Sequence, residues 1–431
     1  MQHNLEGQTF LVLGLGKSGL GAIQLLHEHG AKVLATDDQQ SASPLPSAEF
    51  LAPEMAAEAK FDCLVISPGV PLTHAVARHA QQRGIPVMGE LELAYQFLRG
   101  PVAAITGSNG KTTTTALCGA MLERAGVRAQ VGGNIGNAVS GMVATSAHLQ
   151  WNLLEVSSFQ LETVDLFHPR IAAVLNITPN HLDRHGSFES YRNAKARILA
   201  NQVPGDEAIL NDEDQTSQSL ANRARARVRF FNGEAACLRE GRLELLGRPL
   251  MSASDVLLPG RHNLDNVLAA ALIAALAGAS QEAIAQAAAE FRGVAHRLEF
   301  VREWRGIKFF NDSKATSVDA ARKALTALPG PLWVILGGKG KGAPYAPLAP
   351  LLKDKAKAAL FIGEDTPNLE RELATEIATK SCGTLAEALT FAVRSASPGD
   401  TVLLAPACAS YDQFTSYEQR GDTFRRLVEE L

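Results

Sequence analysis

Ala104-Ile105-Thr106-Gly107-Ser108-Asn109-Gly110-Lys111-Thr112-Thr113 is the stretch whose reading decides the fold class of this chain. The apolar run from Val102 to Ile105 predicts a strand. A tight glycine turn follows it, then a helix from about Thr112 to Arg124 carrying an Ala/Leu pattern. Glycines let backbone N–H groups curl around phosphate oxygens; the helix N-terminus adds partial positive charge and Lys111 a full one. Thr112 offers a hydroxyl to Mg²⁺. The pattern predicts a cradle for the phosphates of ATP or GTP. The common phosphate loop has a glycine five residues before Gly110, where this chain has Ile105, so the motif is the shorter G-x-x-G-K-T. A turn that merely joins strand to helix is the plainer alternative, and the Lys-Thr pair directly after the last glycine weighs against it.

Outward from this stretch, strand-like runs alternate with helical patterns, which predicts parallel α/β domains. A chain of 431 residues suggests about three domains. The first block runs to residue 93, with strands expected at Thr9–Leu13, Lys32–Thr36, Cys63–Ser67 and Ile85–Val87. The second, 94–293, adds buried-type strands at Trp151–Val156 and Ile171–Asn176. It continues with short β-ribbons between Ala221 and Pro249 and Ala-rich helices at Asn263–Ala277 and Gln281–Phe291. The third, 294–431, shows strands at Leu332–Leu336, Ala358–Ile362 and Thr401–Leu404.

The net charge of −4 gives no reason to expect nucleic acid or anionic lipid as a partner. Five cysteines stand singly, without metal spacing, so a reducing cytoplasm is expected and each thiol reads as a small core residue. Cys408 lies among polar residues, with no base beside it in sequence. The first apolar run is interrupted by Gly14 and Gly16 and does not read as a signal peptide. The longest apolar stretch, Val267–Ala279, is too short to span a bilayer and predicts a buried helix, so no membrane insertion is expected.

Several strand ends carry polar clusters. Gly14-Leu15-Gly16-Lys17-Ser18-Gly19 follows the first strand, and Asp37 comes eighteen residues after Gly19. That is a dinucleotide fingerprint, yet a UDP-sugar pyrophosphate would satisfy the same backbone. Ser67-Pro68-Gly69 ends a later strand of the same block. Glu155 closes a continuous apolar strand, a suitable place for a Mg²⁺ ligand, although strand-end surface acids are common. His181 and Asp183 cluster after another strand. Lys195 reads from its neighbours as a surface lysine. Asn263 and Asn266 flank the start of the Ala-rich helix, where one of them would cap it. In the last block Asn311–Thr316, Gly337–Gly342 and Ala405–Ser410 are three polar loops at strand ends, more than turns alone require.

Taken together, these strings resemble the Mur ligase family over nearly the whole chain. The resemblance rests on Thr106–Thr112, Gly132–Gly136, Glu155–Glu162, His181–His185, His296-Arg297, Asn311–Thr316 and Pro406–Phe414. The last two strings are those of the D-glutamate-adding branch. The fold implied is three α/β domains. These are a Rossmann-like UDP-binding domain (1–93), a central P-loop ATPase-type parallel sheet (94–293) and a Rossmann-like amino-acid-binding domain (294–431).

The implied reaction is ATP-dependent addition of D-glutamate to UDP-N-acetylmuramoyl-L-alanine through an acyl phosphate, with release of ADP and phosphate, in peptidoglycan precursor synthesis. By the same resemblance Gly107, Ser108, Asn109, Gly110, Lys111, Thr112 and Thr113 hold the ATP phosphates, and Asn263, Asn266, Arg297 and Asp312 the adenosine side. Thr112 and Glu155 belong to one Mg²⁺ site. His181 and Lys195 belong to a second, with Lys195 carbamylated. Lys314 lies near the reacting groups. The UDP-substrate falls to Gly14, Leu15, Gly16, Lys17, Ser18, Gly19, Thr36, Asp37, Ser67, Pro68, Gly69, Asn134 and His181. D-Glutamate falls to Thr316, Lys341, Ser410 and Tyr417. The Thr36-Asp37-Asp38 segment departs from the family order, and Tyr417 stands where the family has Phe. A cytoplasmic monomer is expected.

Other readings stand beside this one: a related Mur or folylpolyglutamate-type ligase with another amino acid, an NAD-dependent oxidoreductase built on Gly14–Gly19, and a non-catalytic nucleotide-regulated module. The oxidoreductase leaves the phosphate loop unexplained.

Overall fold

A computed structural model describes residues 5–38, 45, 47–258 and 260–431; the side chain of Asp183 lies outside the described part. Three sheets carry the fold. The first holds β1 (Thr9–Leu13), β2 (Lys32–Thr36), β3 (Glu49–Phe50), β4 (Cys63–Ile66) and β5 (Val87–Gly89), all parallel, in the order β3-β2-β1-β4-β5. The second holds β6 (Val102–Thr106), β7 (Ala129–Gly133), β8 (Trp151–Glu155), β9 (Ile171–Val174) and β10 (Glu207–Asn211). It continues with β11 (Arg227–Phe231), β12 (Ala236–Arg239), β13 (Arg242–Leu245) and β14 (Arg248–Ser252), in the order β14-β13-β12-β11-β10-β9-β6-β8-β7. The third holds β15 (Glu299–Trp304), β16 (Ile307–Asn311), β17 (Leu332–Gly337), β18 (Ala356–Ile362), β19 (Thr379–Gly383) and β20 (Thr401–Leu404), in the order β15-β16-β20-β17-β18-β19.

The architecture is therefore three-domain α/β with largely parallel sheets. Among the described residues only the ribbon β12–β14 and the edge pair β15–β16 run antiparallel. Central strands are buried along their length, as β6 and β17 are, because helices cover both faces. That is why they read as unbroken apolar runs. The expected strand at 85–87 begins later, at Val87. The Ile85 amide donates to Ala80 O and closes the preceding helix, so Ile85 is spent before the strand starts.

By compactness the chain divides into two units. One comprises 1–255 with 264–289 and contains the first two sheets; the other comprises 256–263 with 290–431 and contains the third. Inside the first unit the helix Glu90–Tyr95 ties the two sheets together. The Glu92 carboxylate accepts the amides of Asp165, Leu166 and Phe167 at 2.8–3.1 Å, and Glu90 accepts that of Ser140 at 2.6 Å. The break drawn at 93/94 falls within this helix.

In each sheet the polar clusters sit at the carboxyl ends of neighbouring strands, where open α/β sheets bind ligands. In the first sheet β1 lies between β2 and β4, and their ends carry Gly14–Gly19, Thr36-Asp37 and Ser67–Gly69. In the second, β6 lies between β8 and β9, with Glu155 paired to Ile105. In the third, β20 lies between β16 and β17.

Candidate active site

The phosphate loop is locked from within. Gly110 takes φ +83, which lets the chain turn into the helix Lys111–Arg124. Asn109 N donates to Asn176 Oδ1 at 2.8 Å, and Ser108 N to Asn176 O at 2.9 Å. Ser108 Oγ donates to Thr178 O and meets the Tyr191 hydroxyl at 2.9 Å. Lys111 Nζ folds back to Gly107 O at 2.8 Å. Thr112 is buried at the first turn, with Thr113 beside it.

Glu155 is 2% exposed, with Oε1 accepting from Asn134 Nδ2 at 2.7 Å. Its other oxygen, Oε2, is buried without a hydrogen-bond partner. A bare buried carboxylate oxygen is costly unless a cation meets it. This donor set suits Mg²⁺, which takes one or two protein carboxylates and completes its shell with phosphate oxygens and water. Among the described residues there is no cluster of three or more His, Cys, Asp or Glu side chains able to hold a metal by themselves.

Lys195 overturns its surface reading. It is 1% exposed, and Nζ donates to Gly107 O at 2.8 Å and Thr106 Oγ1 at 3.3 Å. Burial and the nearby Lys111 charge push its pKa down to about 6, against the pull of Glu155. The cause is helical register: in Phe188–Ala196, Tyr191, Ala194 and Lys195 share the inward face. The Tyr191 ring lies 4.8 Å from the ammonium, and its centre is 6.5 Å from that of the His181 ring, so Tyr191 lies near both residues that the resemblance assigned to one Mg²⁺ site. His181 itself takes φ +53 at the start of the helix Leu182–His185. Asn266 also differs from expectation. The helix starts at Arg261, so Asn266 is past the cap; its Oδ1 accepts from Thr114 Oγ1 at 3.3 Å and would meet a Cβ at Gly110 at 2.3 Å.

The N-terminal turn is built differently. Gly14 takes φ +92, donates its amide to Thr36 O and accepts the Ser67 hydroxyl at 2.7 Å. A Cβ on Gly19 would lie 1.9 Å from Gly14 O, whereas one on Gly16 would meet nothing within 4 Å. Gly16 caps the helix Lys17–Glu28, so no side chain caps its first amides. The Asp37 carboxylate accepts the Leu15 amide at 2.6 Å, and Lys17 donates to Gly136 O. Ser18 lies in the first turn of the same helix. Asn134, expected on the UDP side, donates instead to Glu155 at the end of β8, beside the strand that leads into the phosphate loop. Arg184, which the sequence reading passed over, donates to Pro68 O and Val70 O beside Gly69.

In the second unit the three loops converge. The Asp312 carboxylate is buried and accepts the Leu298 amide at 3.2 Å; burial raises its pKa to about 7 despite Arg297 and Lys314. Lys341 Nζ donates to Thr316 Oγ1 at 3.4 Å. Lys314 Nζ lies 5.5 Å from the Tyr417 ring, and burial raises the pKa of the Tyr417 hydroxyl, with the Glu418 charge adding to the shift. Ser410 is buried in the loop after β20. Asn263 belongs by compactness to this unit.

Arg420, unnoticed in the sequence, is 0% exposed and braces all three loops. It donates to Ser313 Oγ and O, Gly337 O, Cys408 O and Ala409 O at 2.9–3.5 Å. Its readable signal was position: Arg420, Phe424 and Val428 fall at i, i+4 and i+8 on one buried stripe. Cys408 is a core thiol, 3.0 Å from the Tyr345 hydroxyl and pushed up to about 11 by burial.

Known proteins are similar to this chain along nearly its whole length. Residues 8–89 match the Mur ligase MurD-like N-terminal domain, 105–274 the Mur ligase middle domain, and 296–408 the Mur ligase glutamate ligase domain. The UDP-N-acetylmuramoylalanine–D-glutamate ligase of Solibacter usitatus is 48% identical over 99% of both chains. That of Acidobacterium capsulatum is 47% identical over 98% of this chain and 96% of its own. Among solved structures, the UDP-N-acetylmuramate-alanine ligase of Thermotoga maritima aligns over 98% of this chain and 99% of its own, with TM-score 0.58 and 18% identity. The MurF ligase of the same organism, solved with ADP, aligns over 100% and 96% with TM-score 0.58 and 18% identity. At that identity these two speak for the fold alone.

Proposed function

The chain belongs to the Mur ligase family, and we propose that its three strand-end sites hold the three substrates of a D-glutamate ligase. The enzyme is an ATP-dependent amide-forming ligase of peptidoglycan synthesis that adds D-glutamate to UDP-N-acetylmuramoyl-L-alanine. The observation that carries the site assignment is the bare, buried Glu155 Oε2 beside a lysine-bearing phosphate loop.

A free carboxylate is a poor acyl donor because oxide is a poor leaving group. Phosphorylation of the alanyl carboxylate supplies a good one, and the glutamate amine then displaces phosphate. The transfer brings anions together, so its demand is for positioned cations. Lys111 supplies a fixed charge from the helix N-terminus. Glu155 and Thr112 would hold one Mg²⁺, and His181 with Lys195 a second; bound there, the metal neutralises charge on the transferring phosphoryl group. Lys195 suits carbamylation because its buried amine is held toward the neutral, nucleophilic form. The carbamate would offer oxygens where an ammonium would repel the metal.

Gly14–Gly19, Thr36, Asp37, Ser67–Gly69 and Asn134 would hold the UDP-substrate, with backbone amides facing its pyrophosphate. Asn263, Asn266, Arg297 and Asp312 would take the adenosine side. Thr316, Lys341, Ser410 and Tyr417 would hold the carboxylates of D-glutamate, with Lys314 near the reacting groups. Domains near 1–93, 94–293 and 294–431 and a cytoplasmic monomer complete this reading. No described helix is long and apolar enough to cross a membrane. The test is phosphate release with UDP-N-acetylmuramoyl-L-alanine and a panel of amino acids. D-Glutamate alone should support turnover; release with L-alanine or a diamino acid in its place overturns the assignment.

A further inference from the structure

Arg184 lies three residues after His181 and reaches the turn that follows β4 of the first sheet. Nη1 donates to Pro68 O at 2.8 Å. Nη2 donates to Val70 O at 3.0 Å and to Glu162 Oε2 at 3.2 Å. The guanidinium lies 4.2 Å from the centre of the Phe159 ring. The His185 ring stacks on the same Phe159 at 5.4 Å, its Nδ1 3.2 Å from Glu162 Oε1 and its Nε2 3.0 Å from Ser158 Oγ. His181 packs against Phe159 as well, at 5.0 Å.

At the other end, Pro68 and Val70 belong to the turn that supports the N-terminal glycines. Ser67 Oγ donates to Gly14 O, and a Val70 methyl lies 2.7 Å from where a Gly14 Cβ would stand. The cavity between the two groups, lined by Ser67, Pro68, Val70, Phe159, Glu162 and Arg184, measures about 10 Å³. That is room for one water at most, so the contact has little slack. The φ of +53 at His181 is an uncommon conformation for a side-chain-bearing residue and needs its surroundings to hold it.

We propose that Arg184 is a positioning residue that couples the two ends of the substrate site. It sets the Ser67–Val70 turn and the His181 segment in one register, so that ligands at the UDP end and at the phosphate loop change each other's affinity. The proposal rests on the site assignment above. A planar fork with fixed donor directions suits this task, and a lysine, a single point charge on a flexible stem, does not. The coupling is reciprocal by linkage.

The test is calorimetric titration of a non-hydrolysable ATP analogue, with and without UDP-N-acetylmuramoyl-L-alanine. In the unmodified enzyme the UDP-substrate should tighten analogue binding by roughly tenfold, within the usual range of coupling between sites. In Arg184→Gln and Arg184→Lys that factor should fall to within about twofold of unity, while each ligand alone binds within about threefold of normal. Failure of Lys to restore the factor separates fork geometry from mere charge. Glu162→Gln keeps the shape and removes the shared carboxylate, so it should lower the factor too. A retained factor in folded Arg184→Gln or in Glu162→Gln overturns the proposal, as does an unmodified enzyme with no factor. Loss of both binary affinities in Arg184→Lys also overturns it, since the role would then be structural. Failure of the site assignment looks different: Gly16→Leu would leave UDP-substrate binding untouched.

Discussion

Two glycine turns in the first unit start from the same plan, strand into turn into helix N-terminus, and end as different devices. The turn at Gly14–Gly19 is bare. Its helix start lacks a side-chain cap, Gly16 faces open space, Lys17 is turned to Gly136 O, and Asp37 is bonded to the Leu15 amide. The turn at Gly107–Thr112 is crowded with charge: Lys111 and Lys195 share Gly107 O, and Glu155 holds out an unbonded oxygen nearby. A bare turn can hold a diphosphate with backbone amides alone. A charged one can also stabilise a phosphoryl group in transit. Glycine spacing identifies a phosphate site; the side chains around it tell whether chemistry happens there.

The sharpest way to break this contrast is Lys111→Ala. Its ammonium donates to the Gly107 and Ser108 carbonyls of its own loop, and the fold should survive the change. Turnover should fall by roughly 10²–10³-fold, the scale for losing one charge-stabilising group, and near-normal turnover in a folded variant would sink the assignment. Lys195→Ala should follow, with a loss on the order of 10²-fold that acetate partly restores by filling the vacated position, while Lys195→Arg gains nothing. Mass spectrometry of the intact active enzyme should find the increment of one CO₂ at this residue; an unmodified amine together with a fully active Ala variant would end the carbamate reading.

The bare turn is probed by Gly16→Leu. The UDP-substrate KM should rise about tenfold with binary ATP binding unchanged, because the new side chain enters open space rather than protein. The opposite pattern would reverse the roles of the two turns. Gly19→Ala is the control that should unfold the domain, since its Cβ would strike Gly14 O.

The third glycine turn, Gly337–Gly342, extends the comparison: Lys341→Ala should raise the KM for D-glutamate severalfold, by loss of a charge-assisted contact. A change confined to the ATP constant would give the loop to the nucleotide. The smallest effect is on stability. The folded pKa of Asp312 is raised to about 7 from an ordinary 3.8, so the folded state binds the extra proton between those values. Native stability contributed by this group therefore falls as pH rises from about 4 to about 7 and is level above. Asp312→Asn should remove that slope and melt a few degrees higher than the unmodified enzyme at pH 8, with the difference vanishing near pH 4; parallel melting curves across pH would contradict it.

The fold was largely legible because central parallel strands are buried on both faces. β1, β2 and β20 stand where the apolar runs place them, residue for residue. The antiparallel ribbon after β11 also shows in its alternation. Legibility ended with buried cations. Lys195 and Arg420 each occupy a polar-looking helix, and the usual expectation for a charged residue is solvent. Helical register contradicts that expectation in both: Lys195 lines up with Tyr191, and Arg420 with Phe424 and Val428. A cation on an apolar stripe was the available signal. Arg184 offered none, since its partners are backbone carbonyls more than a hundred residues away and Glu162.

The Arg420 brace has a consequence for how this enzyme can be re-engineered. Nη1 pairs the loops after β17 and β20, Nη2 those after β16 and β20, and Nε adds a second bond to the loop after β16, so those loops are not exchangeable parts. A loop transplanted alone from a relative that uses another amino acid must present its carbonyls where this guanidinium already points, or strand a buried cation. Under the proposed assignment, amino-acid preference in this domain is thus inherited as a set, three loops and the arginine together.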